Sequence, residues 1–310
     1  MTLFKIRRMV EEDSFQVTQL VRECFPEESD FYSGYYPTTS RFPVVIAEQA
    51  SSPLGVGVMY LNDFHPHWLK VMVAVDKNFR RQGIGRQLHD EAINARDLST
   101  SIIGTQTHCY KGEDEAEAFI KTLGYTLRVN CHILELDLTK RKPSPRLARK
   151  YGNLKIVPFT RLLESPEMKQ HLFDFLVTCY SEEHVWSPPQ PKDHPDWKEI
   201  VFDGLVPELS FALLDGKTIV AASSVVDDDP TILDMCWQYV NRDYPDDVAV
   251  FFLQHLLAHQ FAVALNAGLS KAAAELDVSS IADGTSDYSR LLEWLPVERD
   301  RIWQIFQRPF

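Results

Sequence analysis

The stretch Val71-Met72-Val73-Ala74-Val75-Asp76-Lys77-Asn78-Phe79-Arg80-Arg81-Gln82-Gly83-Ile84-Gly85-Arg86 joins an apolar run to a basic, glycine-bearing turn. The first five residues are apolar throughout, as a buried strand requires. From Gly85 the period changes: Leu88, Ala92 and Ala95 recur on one face, which predicts a helix over 85–97. The connection between strand and helix has the physics of an anion site. Glycines at 83 and 85 let the backbone approach a ligand with no Cβ in the way. The first N–H groups of a helix lack internal partners, and the helix dipole places partial positive charge there. Arg80, Arg81 and Arg86 add full charges nearby, so a pyrophosphate suits the place. The alternative is a joint whose glycines serve only the turn. The sequence carries neither the G-x-G-x-x-G fingerprint of a dinucleotide fold nor the G-K-[ST] of a phosphate loop.

Outward from this joint, a strand is predicted over 3–8. A helix follows near Asp13-Ser14, with Phe15, Val17, Leu20, Val21 and Cys24 on its apolar face. Extended runs lie at 44–48, 54–61 and 69–75, with Ser51-Ser52-Pro53 as the turn between the first two. Beyond the helix at 85–97 come a strand over 101–107, a helix over 114–123 and a closing pair of strands within 125–138. The order β-α-β-β-β-α-β-α-β-β predicts an α/β (α+β) class, a mixed sheet flanked by helices.

Residues 139–152 (TKRKPSPRLARKYG) break the pattern of both flanks with six basic residues and two prolines. Prolines disfavour regular structure and like charges stay solvated, so the expected domains are 1–139 and 153–310, with 140–152 a basic linker. A nucleic-acid patch is the other reading of that segment. The second half repeats the order less clearly: a strand at 154–158, a helix at 167–180, and strands at 209–214, 218–226 and 232–240. Asp215-Gly216 is the turn between the first two of those three strands. An apolar helix at 248–265, a strand at 271–278 and a helix at 287–295 complete it, and the repetition suggests duplication. Gln254, His255, His259 and Gln260 interrupt the apolar helix and favour a protein core over a membrane span.

The balance of 44 acidic against 32 basic residues gives a formal charge of −12, which argues against nucleic acid as partner. Five scattered cysteines with no C-x-x-C pair suit reduced thiols rather than a disulfide framework or a zinc knuckle, and no metal is expected. The basic and acidic N-terminal residues leave no apolar run for a signal peptide, so a cytoplasmic protein with no membrane partner is expected.

Val75-x-x-x-Phe79-Arg80-Arg81-Gln82-Gly83-Ile84-Gly85 resembles motif A of the GNAT acetyltransferases, R/Q-x-x-G-x-G/A after a strand ending V-x-P-x-Y/F. Lys77 stands where that family usually has proline. The whole chain resembles the tandem GNAT group, closely over 3–138 and by order and spacing over 154–310. The resemblance implies acetyl-CoA as cosubstrate and an amine-bearing acceptor. Val73 and Val75 would bond the pantetheine arm like an added strand, and Arg80, Arg81, Gln82, Gly83, Ile84, Gly85 and Arg86 would form the pyrophosphate turn. The thioester would lie where the strands 69–75 and 101–107 splay apart, its carbonyl polarised by a backbone N–H near Val73. Direct transfer needs no enzyme nucleophile, so Cys109 is read as structural. The family's later motif, A-x-x-F-Y-x-x-x-G-F, reads here Ala116-Glu117-Ala118-Phe119-Ile120-Lys121-Thr122-Leu123-Gly124-Tyr125, with Ile120 at the position of the proton-donating tyrosine. Tyr110 is the substitute acid, unless the thiolate departs unprotonated. His108, His65 and His67 are the candidate bases, with Asp63 and Glu48 weaker.

In the second half, setting Val240 against Val75 puts Tyr244 opposite Phe79, Pro245 opposite Arg80, Val248 opposite Gly83 and Val250 opposite Gly85. Proline lacks an N–H, and valine would push Cβ branches into a pyrophosphate's path, so this turn is expected not to hold CoA. Three functions remain open: an N-acetyltransferase, a non-catalytic acyl-CoA-binding or regulatory protein, and a transferase for another acceptor.

Overall fold

The structure, a computed structural model, describes residues 4–28, 32, 42–94, 102–146, 151–279 and 288–310. The strands are β1 (Lys5–Arg8), β2 (Val45–Gln49), β3 (Ser52–Leu61), β4 (Trp68–Val75), β5 (Gly104–Tyr110) and β6 (Thr126–Asp137). In the second half they are β7 (Lys155–Pro158), β8 (Phe211–Asp215), β9 (Thr218–Val226), β10 (Leu233–Val240), β11 (Lys271–Ser279) and β12 (Val297–Pro309). The helices are α1 (Ser14–Cys24), α2 (Ile84–Asn94), α3 (Asp114–Thr122), α4 (Phe159–Leu163), α5 (Pro166–Glu183), α6 (Asp196–Phe202), α7 (Asp246–Asn266) and α8 (Ser289–Trp294). Contacts divide the chain into two compact units. The first holds Met1–His108, Glu115–Thr126 and Phe306–Phe310, and the second Cys109–Asp114 and Leu127–Ile305.

In the first unit the strand order is β1-β2-β3-β4-β5, with the end of β12 beside β5. The β1–β4 strands run antiparallel, and β4 pairs with β5 in parallel. One face packs Val56, Val58, Met72 and Ala74 against Val17, Leu20 and Val21 of α1. The other packs Val45, Ala47, Leu69 and Val71 against Ile84, Leu88 and Ala92 of α2. Close approach of α2 depends on Gly55: a Cβ there would stand 2.8 Å from the Ala74 carbonyl oxygen and 2.8 Å from Leu88 Cδ1. Without side chains at that point of β3, the helix settles deep enough for its N-terminus to sit at the end of β4.

In the second unit the order is β12-β6-β11-β10-β9-β8-β7. Helix α7 buries Phe252, Leu253, Leu256, Leu257 and Phe261 in a core with Leu213, Val220, Val225 and Met235. It is long and apolar enough to cross a membrane by composition, and in this fold most of that surface is packed inside the unit.

Several sequence expectations need correction. Phe15 was expected on the apolar face of α1 and is 72% exposed; it lies two residues, about 200° of helix, from Val17. The expected strand pair within 125–138 is one strand, β6, whose residues 129–137 pair with β11 without a break. Nothing in TLRVNCHILELD supplies a tight turn, so the run stays extended. The turn after β2 centres on Ala50 and Ser51, both with positive φ, rather than on Ser51-Ser52-Pro53, and β3 already begins at Ser52. Helices α4 and α6 and the C-terminal strand β12 were not anticipated; charges at Glu298, Arg299, Asp300 and Arg301 hide the strand character of β12. Ala95, expected on the apolar face of α2, lies outside the described residues.

Candidate functional site

Strand β4 delivers the chain to the edge of the sheet at Val75, and residues 76–83 carry it round to α2. Asp76 opens a turn of 3₁₀ helix at Lys77–Phe79 by accepting a hydrogen bond from the Asn78 N–H at 2.8 Å. Arg81 has φ of +63° and Gly83 φ of +84°, two left-handed residues that reverse the chain ahead of Ile84. At Gly83 an added Cβ would meet only Gln87 Nε2, at 4.0 Å, so open space lies above the turn. The α2 N-terminus, with Arg80, Arg81 and Arg86 all exposed, faces that space. Arg80 Nε donates to the Val75 carbonyl at 3.1 Å, and Arg86 Nη2 donates to the Thr122 carbonyl at 2.8 Å. Both arginines are thereby held to the frame, whereas the Arg81 side chain forms no ion pair among the described residues.

Gly85 has a packing constraint as well: a Cβ there would approach Phe119 Cζ at 3.1 Å, so this residue lets α3 close against α2. Ile84 is buried under the turn, and Gln82 is exposed on it. The Val75 carbonyl also accepts from Cys24 Sγ at 3.5 Å, and burial pushes that thiol above its ordinary range.

Beside the turn, β4 and β5 part company. Their parallel pairing covers Trp68↔Gly104, Leu69↔Thr105 and Lys70↔Gln106 and then ends, leaving Val73 and Val75 beyond the paired segment. Alternation along the strands puts Lys70 on the face of Met72 and Ala74, toward α1. Burial alone pulls the Lys70 ammonium down to about 7. Gln106 is 4% exposed, and its side-chain carbonyl has no hydrogen-bond partner among the described residues.

His108 follows two residues after Gln106. Its Nε2 lies 3.0 Å from Glu28 Oε1 and 3.2 Å from the Tyr32 hydroxyl, and Tyr32 is buried in the α1 core. With a proton on Nε2 donated to Glu28, the imidazole carries its lone pair on Nδ1, the tautomer that a base acting from that nitrogen requires. Glu28 and Tyr32 were missed in the sequence, because nothing in their spacing relative to His108 marks contacts across 80 and 76 residues.

The other candidates sit elsewhere. Tyr110 falls in the second unit, its ring 4.0 Å beneath the Arg301 guanidinium and beside Trp303. His65 belongs to a turn in which Asn62 Oδ1 accepts from the backbone N–H groups of Phe64 and His65. Glu48 binds Lys5 at 2.7 Å and Arg7 at 2.5 Å, and those cations hold its carboxyl below the ordinary range. A carboxylate so neutralised is a poor base. Cys109 is buried, and Ile120 is buried at 6% exposure.

The second unit shows the same splay and a different turn. β10 and β11 pair in parallel over Leu233↔Ala272, Asp234↔Ala273 and Met235↔Ala274 only. The connection to α7 runs over 241–245, five residues against the eight of 76–83. Pro245 is the residue before the helix and Asp246 and Asp247 fill its first turn. Val248 and Val250 therefore stand inside α7 rather than opposite Gly83 and Gly85, which corrects the expected register. The second connection is three residues shorter, and two carboxylates stand in the first turn of its helix.

Residues 40–127 match the Acetyltransferase (GNAT) domain family. No curated protein matches the sequence. Among solved structures, the chain is similar to a GCN5-related N-acetyltransferase from Sphaerobacter thermophilus, with a TM-score of 0.63 at 14% identity, covering 99% of this chain and 95% of that one. It is similar also to a tandem GNAT protein from the clavulanic acid biosynthesis pathway, with a TM-score of 0.57 at 14% identity over 99% and 98% of the two chains. At such identities the likeness concerns the fold. A third similar structure is a glucosamine N-acetyltransferase region of a fungal multi-domain β-N-acetylglucosaminidase, with a TM-score of 0.60 at 12% identity, covering 99% of this chain and 38% of that one. The basic turn thus lies within a GNAT acetyltransferase domain, and the chain as a whole has the fold of the tandem GNAT proteins.

Proposed function

We propose that the protein is an acetyl-CoA-dependent N-acyltransferase that passes an acetyl group directly to an amine. The observation that carries this reading is the placement of the basic turn at the α2 N-terminus beside the point where β4 and β5 separate. Open space over Gly83 and exposed Arg81 fit a pyrophosphate, and the length of β4 that β5 leaves unpaired fits a pantetheine arm. Bound acetyl-CoA would supply a thioester activated toward amines.

The chain's own residues then have separable tasks. The N–H groups of the first turn of α2 and the Arg81 guanidinium hold the phosphates. Backbone groups of Val73 and Val75 align the arm, with the Val75 carbonyl already engaged by Arg80 and Cys24. A backbone N–H near Val73 polarises the thioester carbonyl as charge develops on it. His108, oriented by Glu28 and Tyr32, takes a proton from the acceptor's ammonium, and the free amine so formed attacks the thioester carbonyl. Lys70, pulled down to about 7 by burial, carries much less charge on that face near neutral pH than an exposed lysine would.

No side chain at the family's acid position can protonate the departing thiolate, since Ile120 is apolar and buried. A CoA thiolate leaves adequately without help, so transfer continues by this route. Ile120 also supports a second reading, an acyl-CoA-binding protein without turnover. Release of free CoA thiol from acetyl-CoA across a panel of primary amines separates the two. Amine-dependent release that falls in His108→Ala supports transfer; saturable acetyl-CoA binding with no release for any amine would leave only the binding protein.

A further inference from the structure

The second unit contains a cavity of about 400 Å³ at the splay of β10 and β11, within the size range of small-ligand sites. Its chemistry is one-sided. Glu183, Asp228, Asp234, Glu275 and Asp277 line it, and no lysine or arginine does so among the described residues. Arg242 approaches Glu183 at 3.8 Å, and His184 approaches Asp277 at 3.5 Å. No ion pair reaches Asp234 or Glu275 among the described residues.

The walls are aromatic. Tyr180 stacks on His184 at 3.9 Å between ring centroids and tilts toward Trp237 at 5.4 Å, while Trp237 neighbours Tyr239 at 6.2 Å. A separate observation points to an absent occupant. Gln238 lines the cavity at 4% exposure, and neither its Oε1 nor its Nε2 has a hydrogen-bond partner among the described residues. Buried amides are ordinarily satisfied, and leaving one unpaired is costly.

We propose that this cavity binds a small organic cation, a protonated amine carried on an apolar body. Carboxylates would meet the charge, aromatic faces would cover the body by cation–π and dispersion contacts, and Gln238 would gain a polar partner. A metal ion fits poorly, because no three His, Cys, Asp or Glu residues converge to hold one among the described residues. An acyl-CoA fits poorly too: the carboxylates repel its phosphates, and the short turn at 241–245 ends in Pro245, with Asp246 and Asp247 next in the helix. Desolvation raises Asp234, Glu275 and Asp277 above the ordinary carboxylate range, a strain that a bound cation relieves. The site stands independently of acyl transfer by the first unit.

The test is calorimetry on the full chain without acetyl-CoA, using 3-phenylpropylamine, the isosteric 3-phenylpropanol and 3-phenylpropanoate. The amine should bind saturably, at least about tenfold tighter than the alcohol, with no binding of the carboxylate. Glu275→Gln and Asp234→Asn, which break no ion pair, should each weaken amine binding severalfold with unchanged circular dichroism. Equal binding of amine and alcohol, no saturable amine binding, or amine binding untouched by both substitutions would overturn the proposal. Manganese binding abolished by those substitutions, with no amine binding, would reassign the carboxylates to a metal and overturn it as well.

Discussion

The two strand–turn–helix joints of this molecule start from similar strands and end in different chemistry. In the first, eight residues (76–83) include two left-handed positions and bring three arginines to the end of a helix. In the second, five residues (241–245) reach the helix through proline and present two aspartates. The splayed strands beside both joints are alike, three parallel pairs followed by separation. The framework therefore repeats while loop length and end charge differ; on the proposed reading an anion suits the first joint and a cation the second.

The sharpest way to break this contrast is Gly83→Val. The residue keeps φ of +84° with only Gln87 Nε2 near its missing Cβ, so valine strains the turn without crowding the core. Acetyl-CoA affinity should fall by at least about 100-fold, about 2.7 kcal/mol, with circular dichroism unchanged. Full-strength binding measured by calorimetry would remove the turn from the site.

His108→Ala addresses the face toward α1. Loss of a positioned base should lower kcat by about 10²–10⁴-fold while acetyl-CoA affinity stays within about twofold, because the phosphates bind elsewhere. Steady-state kinetics beside calorimetry checks this. A KM effect with kcat intact would make His108 part of acceptor binding instead.

The second cleft offers a pH signature. Burial raises Glu183 to about 8, from an ordinary 4.5, against the opposing effects of the Tyr288 hydrogen bond and Arg242. The folded state thus holds a proton that the unfolded chain has released between those values. Its stabilising contribution is complete below about 4.5 and is lost as pH rises toward 8, by up to about 1.4 kcal/mol per pH unit. Glu183→Gln should flatten this part of the stability profile in urea titrations across that window. An unchanged slope would show that Glu183 is ionised throughout.

The smallest expected effect is Tyr110→Phe. Its ring lies beneath Arg301 in the second unit. The rate of CoA release should stay within about twofold of wild type, whereas positioned acid catalysis would predict a loss of about 10²–10⁴-fold with unchanged KM.

What could be read from the sequence depended on whether the signal was local. Helix α2 follows directly from apolar periodicity, strand β9 and helix α7 from apolar runs, and the turn at 80–86 from glycine and arginine spacing. β12 escaped because four charged residues open it and its pairing partners lie far away in sequence. The packing of Gly85 against the ring of Phe119 on another helix could not be read from its spacing. Glu28 and Tyr32 became visible only when the fold brought them to His108. The mismatch between the two turns was legible in composition and misplaced in register, because the deletion of three residues cannot be seen until both helix starts are known.

The central claim is that one cleft accepts acyl-CoA and the other rejects it. Titration calorimetry of the full chain with acetyl-CoA tests this directly. The account predicts one site per chain, weakened by added salt as phosphate contacts require. Two equivalent sites, or a single site that survives Gly83→Val unchanged, would contradict it.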